Sequence, residues 1–147
     1  MNPQEIARRC ADALAAEDNV ARSLGIEIVE IGPGRAVLAM TVQASMTNGH
    51  GTCHGGFIFM LADCAFAYAC NSHGPRAVAQ NAQVHFLSPA QVGARLTAEA
   101  IERRRAERSG LTDVTVRDEK GVIAEFRGAS RTIAGSLLAS PQTASAS

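Results

Sequence analysis

The sequence predicts an α+β fold in which a curved antiparallel sheet of about six strands wraps around one long helix. Residues 57–70 are almost wholly apolar, and Asp63 is their only ionisable group besides two thiols and Tyr68. A helix that is apolar on every face has to be buried, so this run marks the centre of the fold. The strand candidates are mostly adjacent in the chain, which favours an antiparallel sheet over βαβ repeats.

Length and charge restrict the class of protein. A chain of 147 residues suits one domain, and fourteen Lys and Arg residues balance fourteen Asp and Glu residues. This balance gives no support to a nucleic-acid partner or an anionic membrane surface. The apolar helix, at roughly 24 Å, is also too short to span a bilayer. The N-terminus has no apolar signal segment, so we expect a cytoplasmic protein with reduced thiols.

The remaining elements are assigned in chain order. Residues 3–18 have the spacing of an amphipathic helix with Ile6, Cys10, Ala13 and Leu14 on one side, and we expect residues 1–19 at the periphery. A hairpin is predicted around Gly32-Pro33-Gly34. The strands are predicted at residues 24–31, 35–42, 77–87, 94–104, 111–117 and 122–133.

Two sequence patterns refine these assignments. In the strand after the long helix, Val78, Ala82, Val84 and Phe86 form one apolar set. Beyond Ile133 the chain becomes rich in Ala and Ser without periodicity, so residues 134–147 are predicted to be disordered. The folded domain is therefore predicted over residues 20–133.

The main motif is the segment NGHGTCHGGFIFMLADCAFAYACN, which begins at Asn48. Asn48 stands six residues before His54-Gly55-Gly56, and Asp63 stands nine residues after the same histidine. This pattern resembles the hotdog-fold acyl-CoA thioesterases of the phenylacetate-degradation (PaaI) type, and the likeness extends over roughly residues 20–133. The resemblance implies an aryl- or hydroxyaryl-acetyl-CoA substrate, and the alternative is a thioesterase for medium-chain or other acyl-CoA esters. It also implies assembly as a homodimer and commonly as a dimer of dimers, a homotetramer.

Thioester hydrolysis needs a polarised carbonyl and a carboxylate that attacks it or activates water. Gly55 and Gly56 open the helix, where unpaired N–H groups can bind an oxyanion. Asp63 is predicted as the general base or nucleophile, because burial in an apolar helix should raise its pKa. Asn48 is predicted to hold the water or the thioester. For His54 we favour a role in fixing the loop over a role as a base.

Each of these residues also has a structural interpretation. The two glycines suit close packing of helices across an interface, and Asn48 suits turn formation. Asp63 could be a buried carboxylate satisfied by a cap or an arginine. Zinc bound by His50, Cys53 and His54 is disfavoured because no fourth ligand has a recognisable spacing. Attack by a Cys53 thiolate is disfavoured because adjacent residues in an extended loop point apart.

Two other functional classes were weighed for the same fold. A hydratase is disfavoured because the helix carries one aspartate without a catalytic histidine. A non-catalytic acyl-CoA-binding regulator is disfavoured because the neutral chain has no DNA-binding module. The pattern predicts an enzyme without a metal or redox cofactor.

Arg103, Arg104, Arg105 and Arg108 form a basic run at the end of one predicted strand and its turn. The simpler interpretation is a solvated hairpin. The alternative is contact with the phosphates of coenzyme A, which arginine geometry suits. Arg127 and Arg131 are weaker candidates for the same contact.

Helix geometry predicts that the active site is shared between two chains. Gly55 and Asp63 are eight residues apart, which is about 12 Å along a straight helix. Both groups must lie about 3 Å from the same reacting carbonyl. We therefore expect two copies of the helix to run antiparallel across a two-fold axis, each contributing one group to each site.

Overall fold

The computed structural model of the protein describes residues 1–138 and shows a six-stranded antiparallel sheet packed on one long helix. The strand order across the sheet is β1-β2-β4-β5-β6-β3. The predicted α+β class is confirmed, as is the predicted order of the long helix and the strands. The elements are α1 (Pro3–Glu17), α2 (Asn19–Ser23), β1 (Glu27–Gly32), β2 (Arg35–Thr41), a short 3-10 helix (Ala44–Met46), α3 (Gly55–Cys70), β3 (Pro75–Phe86), β4 (Arg95–Ala106), β5 (Ser109–Asp118) and β6 (Gly121–Ser136).

The core lies between α3 and the inner face of the sheet. Fully buried side chains come from α3 and from strands β2, β4 and β5, and they include Leu38, Leu61, Leu96 and Val114. Glycine at position 128 allows β6 to approach the helix, because a Cβ there would lie 2.8 Å from the Phe66 ring. Burial of these large apolar side chains in a closely packed core is the main stabilising term of the fold.

The expectation that α3 is buried on every face is wrong for the single chain. Gly56 is exposed, and Met60, Asp63 and Ala67 are only half-buried. Their spacing of four, three and four residues places them on one face of the helix. The curved sheet covers the other faces, because a single sheet layer cannot enclose a helix completely. We call these four residues the open face of α3.

β3 forms one edge of the sheet, with β6 as its neighbour. A register shift between Ala79 and Asn81 interrupts the predicted alternation of side chains. The predicted apolar set is therefore not buried as a group. Val84 is half-buried, whereas Val78 is 45% exposed and Phe86 is 53% exposed. An edge strand has one neighbour in the sheet and correspondingly few packing partners.

The N-terminal segment packs more closely than predicted. α1 forms where expected, and its capping box joins Asn2 and Glu5. The helix buries Ala7, Cys10 and Ala11 against the body of the protein. Of the predicted apolar side, Cys10 is buried and the other three residues are half-buried. Ala7 and Ala11 thus belong to the hydrophobic core, whereas the opposite side of α1 is exposed.

The C-terminal boundary of the last strand differs from the prediction. β6 continues to Ser136 because Ser136 pairs with Pro75 at the start of β3. Residues 134–136 are thus ordered in a strand, three residues beyond the predicted end of the domain. Residues 139–147 of the predicted disordered tail lie outside the described residues. Within residues 1–138, no helix is long and apolar enough to cross a membrane.

Candidate active site

The first turn of α3 presents one free backbone donor. His54 is the N-cap of the helix, and its Nδ1 accepts a hydrogen bond from the Gly56 N–H at 3.2 Å. The His54 N–H donates to the Met46 carbonyl at 2.7 Å and so fastens the loop. No described residue accepts a hydrogen bond from the Gly55 N–H. Because this N–H stands at the positive end of the helix dipole, it can receive an oxyanion.

Gly55 and Gly56 differ in the space that a Cβ atom would have at each position. A Cβ on Gly55 would lie 3.0 Å from Phe86 Cζ, so glycine lets the Phe86 ring rest against the start of α3. A Cβ on Gly56 would meet His54 Nδ1 at 3.5 Å, which is an ordinary contact. Nothing in the described part of the chain therefore requires glycine at position 56.

Asn48 shapes the loop that precedes α3. Its Oδ1 accepts hydrogen bonds from the N–H groups of His50 at 2.9 Å and Thr52 at 3.3 Å. Its Nδ2 donates to Thr52 Oγ1 at 3.2 Å. These contacts show the turn-forming role that was weighed for Asn48 in the sequence. Asn48 also lines a cleft of about 360 Å³, here called the Gly55 cleft, whose other walls are Cys53, Gly55, Ile58, Phe86, Leu87, Ser88 and Pro89.

Asp63 lies two helical turns beyond the Gly55 cleft, on the open face of α3. Burial raises the pKa of its carboxyl group, and the negative charge of Asp18 raises this pKa further. No described residue holds the carboxylate by a hydrogen bond or an ion pair. The alternative of a carboxylate satisfied by a cap or an arginine is therefore not found within residues 1–138. An unpaired carboxylate with a raised pKa is suited to accept a proton.

The metal and thiol alternatives find no support in the described structure. Among residues 1–138, no group of three His, Cys, Asp or Glu side chains could hold a metal ion. Cys53 is buried, and burial raises the pKa of its thiol. A raised pKa disfavours the thiolate that nucleophilic attack would need. The four cysteines are all free and buried.

The basic run lies far from the Gly55 cleft within one chain. β4 begins beside the loop, where the Val42 N–H donates to the Ala94 carbonyl, and it ends at Ala106. Twelve residues of strand span roughly 35–40 Å. Arg103 donates to Asp113 at 3.1 Å. Arg104, Arg105 and Arg108 are exposed at the far end of the sheet.

Asp113 is the centre of a small charge network on the outer face of the sheet. Its carboxylate accepts hydrogen bonds from Arg127 at 2.6 Å and from Arg103 at 3.1 Å. Arg127, followed by Arg103, holds the pKa of Asp113 below its ordinary value. Both arginines are thus engaged within the chain, which reduces their availability for a ligand phosphate.

Two neighbours of the site were not found by sequence reasoning. Asp18, between α1 and α2, accepts a hydrogen bond from the Tyr68 hydroxyl at 3.5 Å and thereby faces α3. Lys120, in the β5–β6 turn, lines a cavity of about 350 Å³ that shares Ser88 and Pro89 with the Gly55 cleft. An aspartate before a short helix could have been recognised as an N-cap, but the effect of its charge on the pKa of Asp63 depends on tertiary structure and has no local signal.

The fold agrees with the comparison with known protein families. A family model described as Thioesterase superfamily matches residues 50–125. The chain belongs to the thioesterase superfamily and has its hotdog fold, and the protein is a thioester hydrolase.

Individual relatives narrow the class. Acyl-coenzyme A thioesterase PaaI of Escherichia coli K12 is 45% identical over 128 residues, covering 86% of this chain and 91% of the relative. The structure of the E. coli PaaI protein from the phenylacetic acid degradation operon matches with a TM-score of 0.90 at 43% identity, covering 92% of this chain and 99% of that one. A mutant phenylacetic acid degradation protein PaaI from Thermus thermophilus matches with a TM-score of 0.77 at 38% identity, covering 79% of this chain and 100% of that one. The predicted likeness to the PaaI type is confirmed.

Proposed function

We propose that the protein hydrolyses aryl- or hydroxyaryl-acetyl-CoA thioesters to the free acid and coenzyme A. The observation that carries this proposal is the pair of unpartnered groups on α3, the Gly55 N–H and the Asp63 carboxylate. The E. coli relative is named an acyl-coenzyme A thioesterase, and its structure comes from a phenylacetic acid degradation operon. A role in phenylacetate catabolism in the cytoplasm, where thiols stay reduced, agrees with these relatives and with four free cysteines.

The two groups divide the chemistry between them. The Gly55 N–H stabilises the negative charge that develops on the thioester oxygen. In one route Asp63 takes a proton from water as the water oxygen adds to the carbonyl carbon, and that proton then passes to the departing sulfur. In the other route the Asp63 carboxylate attacks the carbon and expels the thiolate, and water then hydrolyses the anhydride. Both routes need Asp63 ionised and close to the carbonyl.

We propose further that each site is built from two chains. Gly55 and Asp63 lie in one continuous helix, so about 12 Å of helix axis separates them. A second copy packed antiparallel on the open face of α3 would bring its own Asp63 to this chain's Gly55. One observation favours such a copy: the open face of α3 and the β3 edge of the sheet are unpartnered in the monomer. A dimer of dimers is expected from the family resemblance.

The phosphates of coenzyme A have two candidate sites. In one chain the exposed Arg104, Arg105 and Arg108 lie at the end of the sheet opposite the Gly55 cleft, but antiparallel packing would bring the second copy's hairpin towards this cleft. Lys120 lies at the same end as the cleft, in the cavity that shares Ser88 and Pro89 with it. Both are positively charged groups in reach of solvent, as phosphate binding requires.

The test is thiol release from a panel of acyl-CoA esters by the wild type and by Asp63→Asn. The panel should show turnover that is highest for aryl-acetyl esters. The variant should keep its fold and lose about 10²-fold or more in kcat, the range for loss of a positioned base. Asp12→Asn on the exposed face of α1 is the matched control and should keep full activity. Binding of acyl-CoA without turnover would instead indicate a non-catalytic binding protein.

A further inference from the structure

Phe86, the last residue of β3, forms a wall of the Gly55 cleft beside the free Gly55 N–H. A Cβ on Gly55 would lie 3.0 Å from Phe86 Cζ, 3.3 Å from Cε1 and 3.4 Å from Cε2. These distances place Gly55 over the Cζ end of one face of the ring. Phe86 is nevertheless 53% exposed, so much of the ring remains open to contact with a bound molecule.

The sheet fixes Phe86 at this place. Phe86 pairs with the buried Ala124 of β6, and the next N–H along the chain, that of Leu87, donates to the Ile123 carbonyl at 2.8 Å. The backbone that carries the ring is thus held by β6 on one side, and Gly55 limits the ring on the other. The ring is therefore a preformed wall, as is usual in small-molecule sites.

A thioester bound at Gly55 brings its acyl group close to Phe86. The Gly55 nitrogen is two bonds of about 1.5 Å from the Cβ position, so it lies within roughly 6 Å of Phe86 Cζ. A carbonyl oxygen that accepts from this N–H lies about 3 Å from the nitrogen, and in an aryl-acetyl ester one methylene joins the carbonyl to the ring. Aromatic rings attract each other at centroid separations of about 4.5–7 Å. An aryl group on this carbonyl can therefore reach Phe86 without movement of the chain.

The two ends of the Gly55 cleft differ in character. Near Gly55 the walls include Phe86 and the buried Ile58, which follows Gly55 by three residues and lies on the same face of α3. The other end adjoins the cavity that Lys120 lines. A compact apolar group suits the first end, and the long polar arm of coenzyme A with its phosphates suits the second.

We propose that Phe86 contacts the acyl group of the thioester and selects aryl groups by aromatic stacking. This inference rests on the proposed thioesterase function. Phe86 does not enter the chemistry, because a phenyl ring neither transfers a proton nor attacks a carbonyl. Its effect is on which ester binds productively at the Gly55 N–H.

The test is kcat/KM for phenylacetyl-CoA, cyclohexylacetyl-CoA and acetyl-CoA. The first two esters carry rings of similar size, but only one ring is aromatic. Phe86→Leu should lower the phenylacetyl value about fivefold, within the range for loss of one aromatic pair, and should change the other two about twofold or less. Phe86→Tyr keeps the ring and should keep all three values within about twofold of the wild type. Val92→Ala is the matched control, because Val92 is 50% exposed in the following loop and does not line the cleft.

A second variant tests the contact between Phe86 and Gly55. Gly55→Ala keeps the N–H donor but places a methyl group 3.0 Å from Phe86 Cζ, which displaces the ring. It should lower the phenylacetyl-to-acetyl ratio of kcat/KM when Phe86 is present and should not lower it further in Phe86→Leu. A reduction of the same size in both backgrounds would overturn the proposal, since the ring would then not be the group that is displaced.

Circular dichroism and size-exclusion chromatography check the fold and assembly of each variant. If Phe86→Leu does not fold, Phe86→Met replaces the ring with a flexible apolar side chain and should give the same change in selectivity. Equal losses for all three esters, or unchanged ratios, in folded and active variants would overturn the assignment of Phe86 and leave the thioesterase proposal standing. A wild type that hydrolyses none of the esters would overturn both.

Discussion

The Gly56 N–H donates its hydrogen bond to His54 Nδ1, so the histidine that caps α3 withdraws one of the two glycine amides from the Gly55 cleft. The neighbouring Gly55 N–H is left as the donor for an oxyanion. The same contact uses the Nδ1 lone pair of His54, which favours a structural role for this ring. The N-cap of α3 and the free Gly55 N–H donor thus both depend on the side-chain conformation of His54.

His54→Ala should lower both stability and kcat/KM. Removal of a helix N-cap costs about 0.5–2 kcal/mol, and the first turn that carries Gly55 should become less ordered. His54→Asn should restore most of both quantities, because asparagine is a favoured N-cap whose side-chain oxygen accepts from the same region. Chemical denaturation and steady-state kinetics measure the two effects. A His54→Asn protein with restored stability but no restored kcat would show that the imidazole takes part in the chemistry.

Subunit exchange tests the shared site. Asp63→Ala and Asn48→Ala should each be inactive or nearly so as separate dimers. After mixing in equal amounts, about half of the dimers should be mixed, each with one intact site, which restores roughly a quarter of wild-type activity. Exchange is followed with differently tagged subunits. Absence of recovery despite exchange, or full activity in a stable monomer, would contradict a site built from two chains.

The pH dependence of activity should reflect the raised pKa of Asp63. Burial and then the charge of Asp18 raise this pKa, so the acid limb of the kcat/KM profile should lie above the pH at which an ordinary aspartate titrates. Asp18→Asn removes one cause and should move that limb to lower pH. Asp12→Asn, with its exposed position, should leave it in place. An acid limb at the ordinary aspartate pH would mean that another group controls the rate.

The stability of Asp63→Asn should depend on pH with a defined sign. A carboxyl whose pKa is higher in the folded state than in the unfolded state destabilises the fold once it is ionised. The wild type should therefore lose stability as pH rises from the unfolded pKa through the folded one. The variant should have the higher Tm at neutral pH, and the difference should shrink at low pH, where both side chains are uncharged. A lower Tm for the variant at neutral pH would contradict this.

Activity should survive both a chelator and Cys53→Ser. Cys53 is buried with a raised pKa, and the described residues contain no cluster suited to a metal. The variant and the EDTA-treated enzyme should keep kcat within about twofold of the untreated wild type, because neither treatment touches Gly55 or Asp63. Loss of activity in EDTA that zinc restores would favour metal-dependent hydrolysis over hydrolysis by Asp63 and Gly55 without a metal.

Local sequence signals predicted most of the elements but not every surface. The apolar run identified α3, and Gly32-Pro33-Gly34 identified the β1–β2 hairpin, because these signals act within a few residues. The exposure of β3 was not predicted, since an alternating pattern does not show whether a strand is central or at an edge. The open face of α3 was also missed, because a uniformly apolar helix gives no sign of which layer covers each side.

Asp18 shows the same limit at the candidate site. Its position before α2 is a local capping signal, but its contact with Tyr68 spans 50 residues of sequence. The Asp63 motif was recognised because its spacing lies within one helix and one loop. Contacts between distant segments, which set the surroundings of that aspartate, need the folded chain.

The position of β3 beside β6 has a consequence for how the protein is made. Gly121, which begins β6, follows Phe86, the last residue of β3, by 35 residues. The ribosome synthesises the chain from the N-terminus, so β3 leaves the ribosome well before β6, its neighbour in the sheet, has been synthesised. Phe66 in α3 is likewise synthesised before Gly128, the residue of β6 that packs against its ring. A message truncated before β6 would release a polypeptide with an unpaired strand and an uncovered apolar helix, the features that chaperones and proteases recognise.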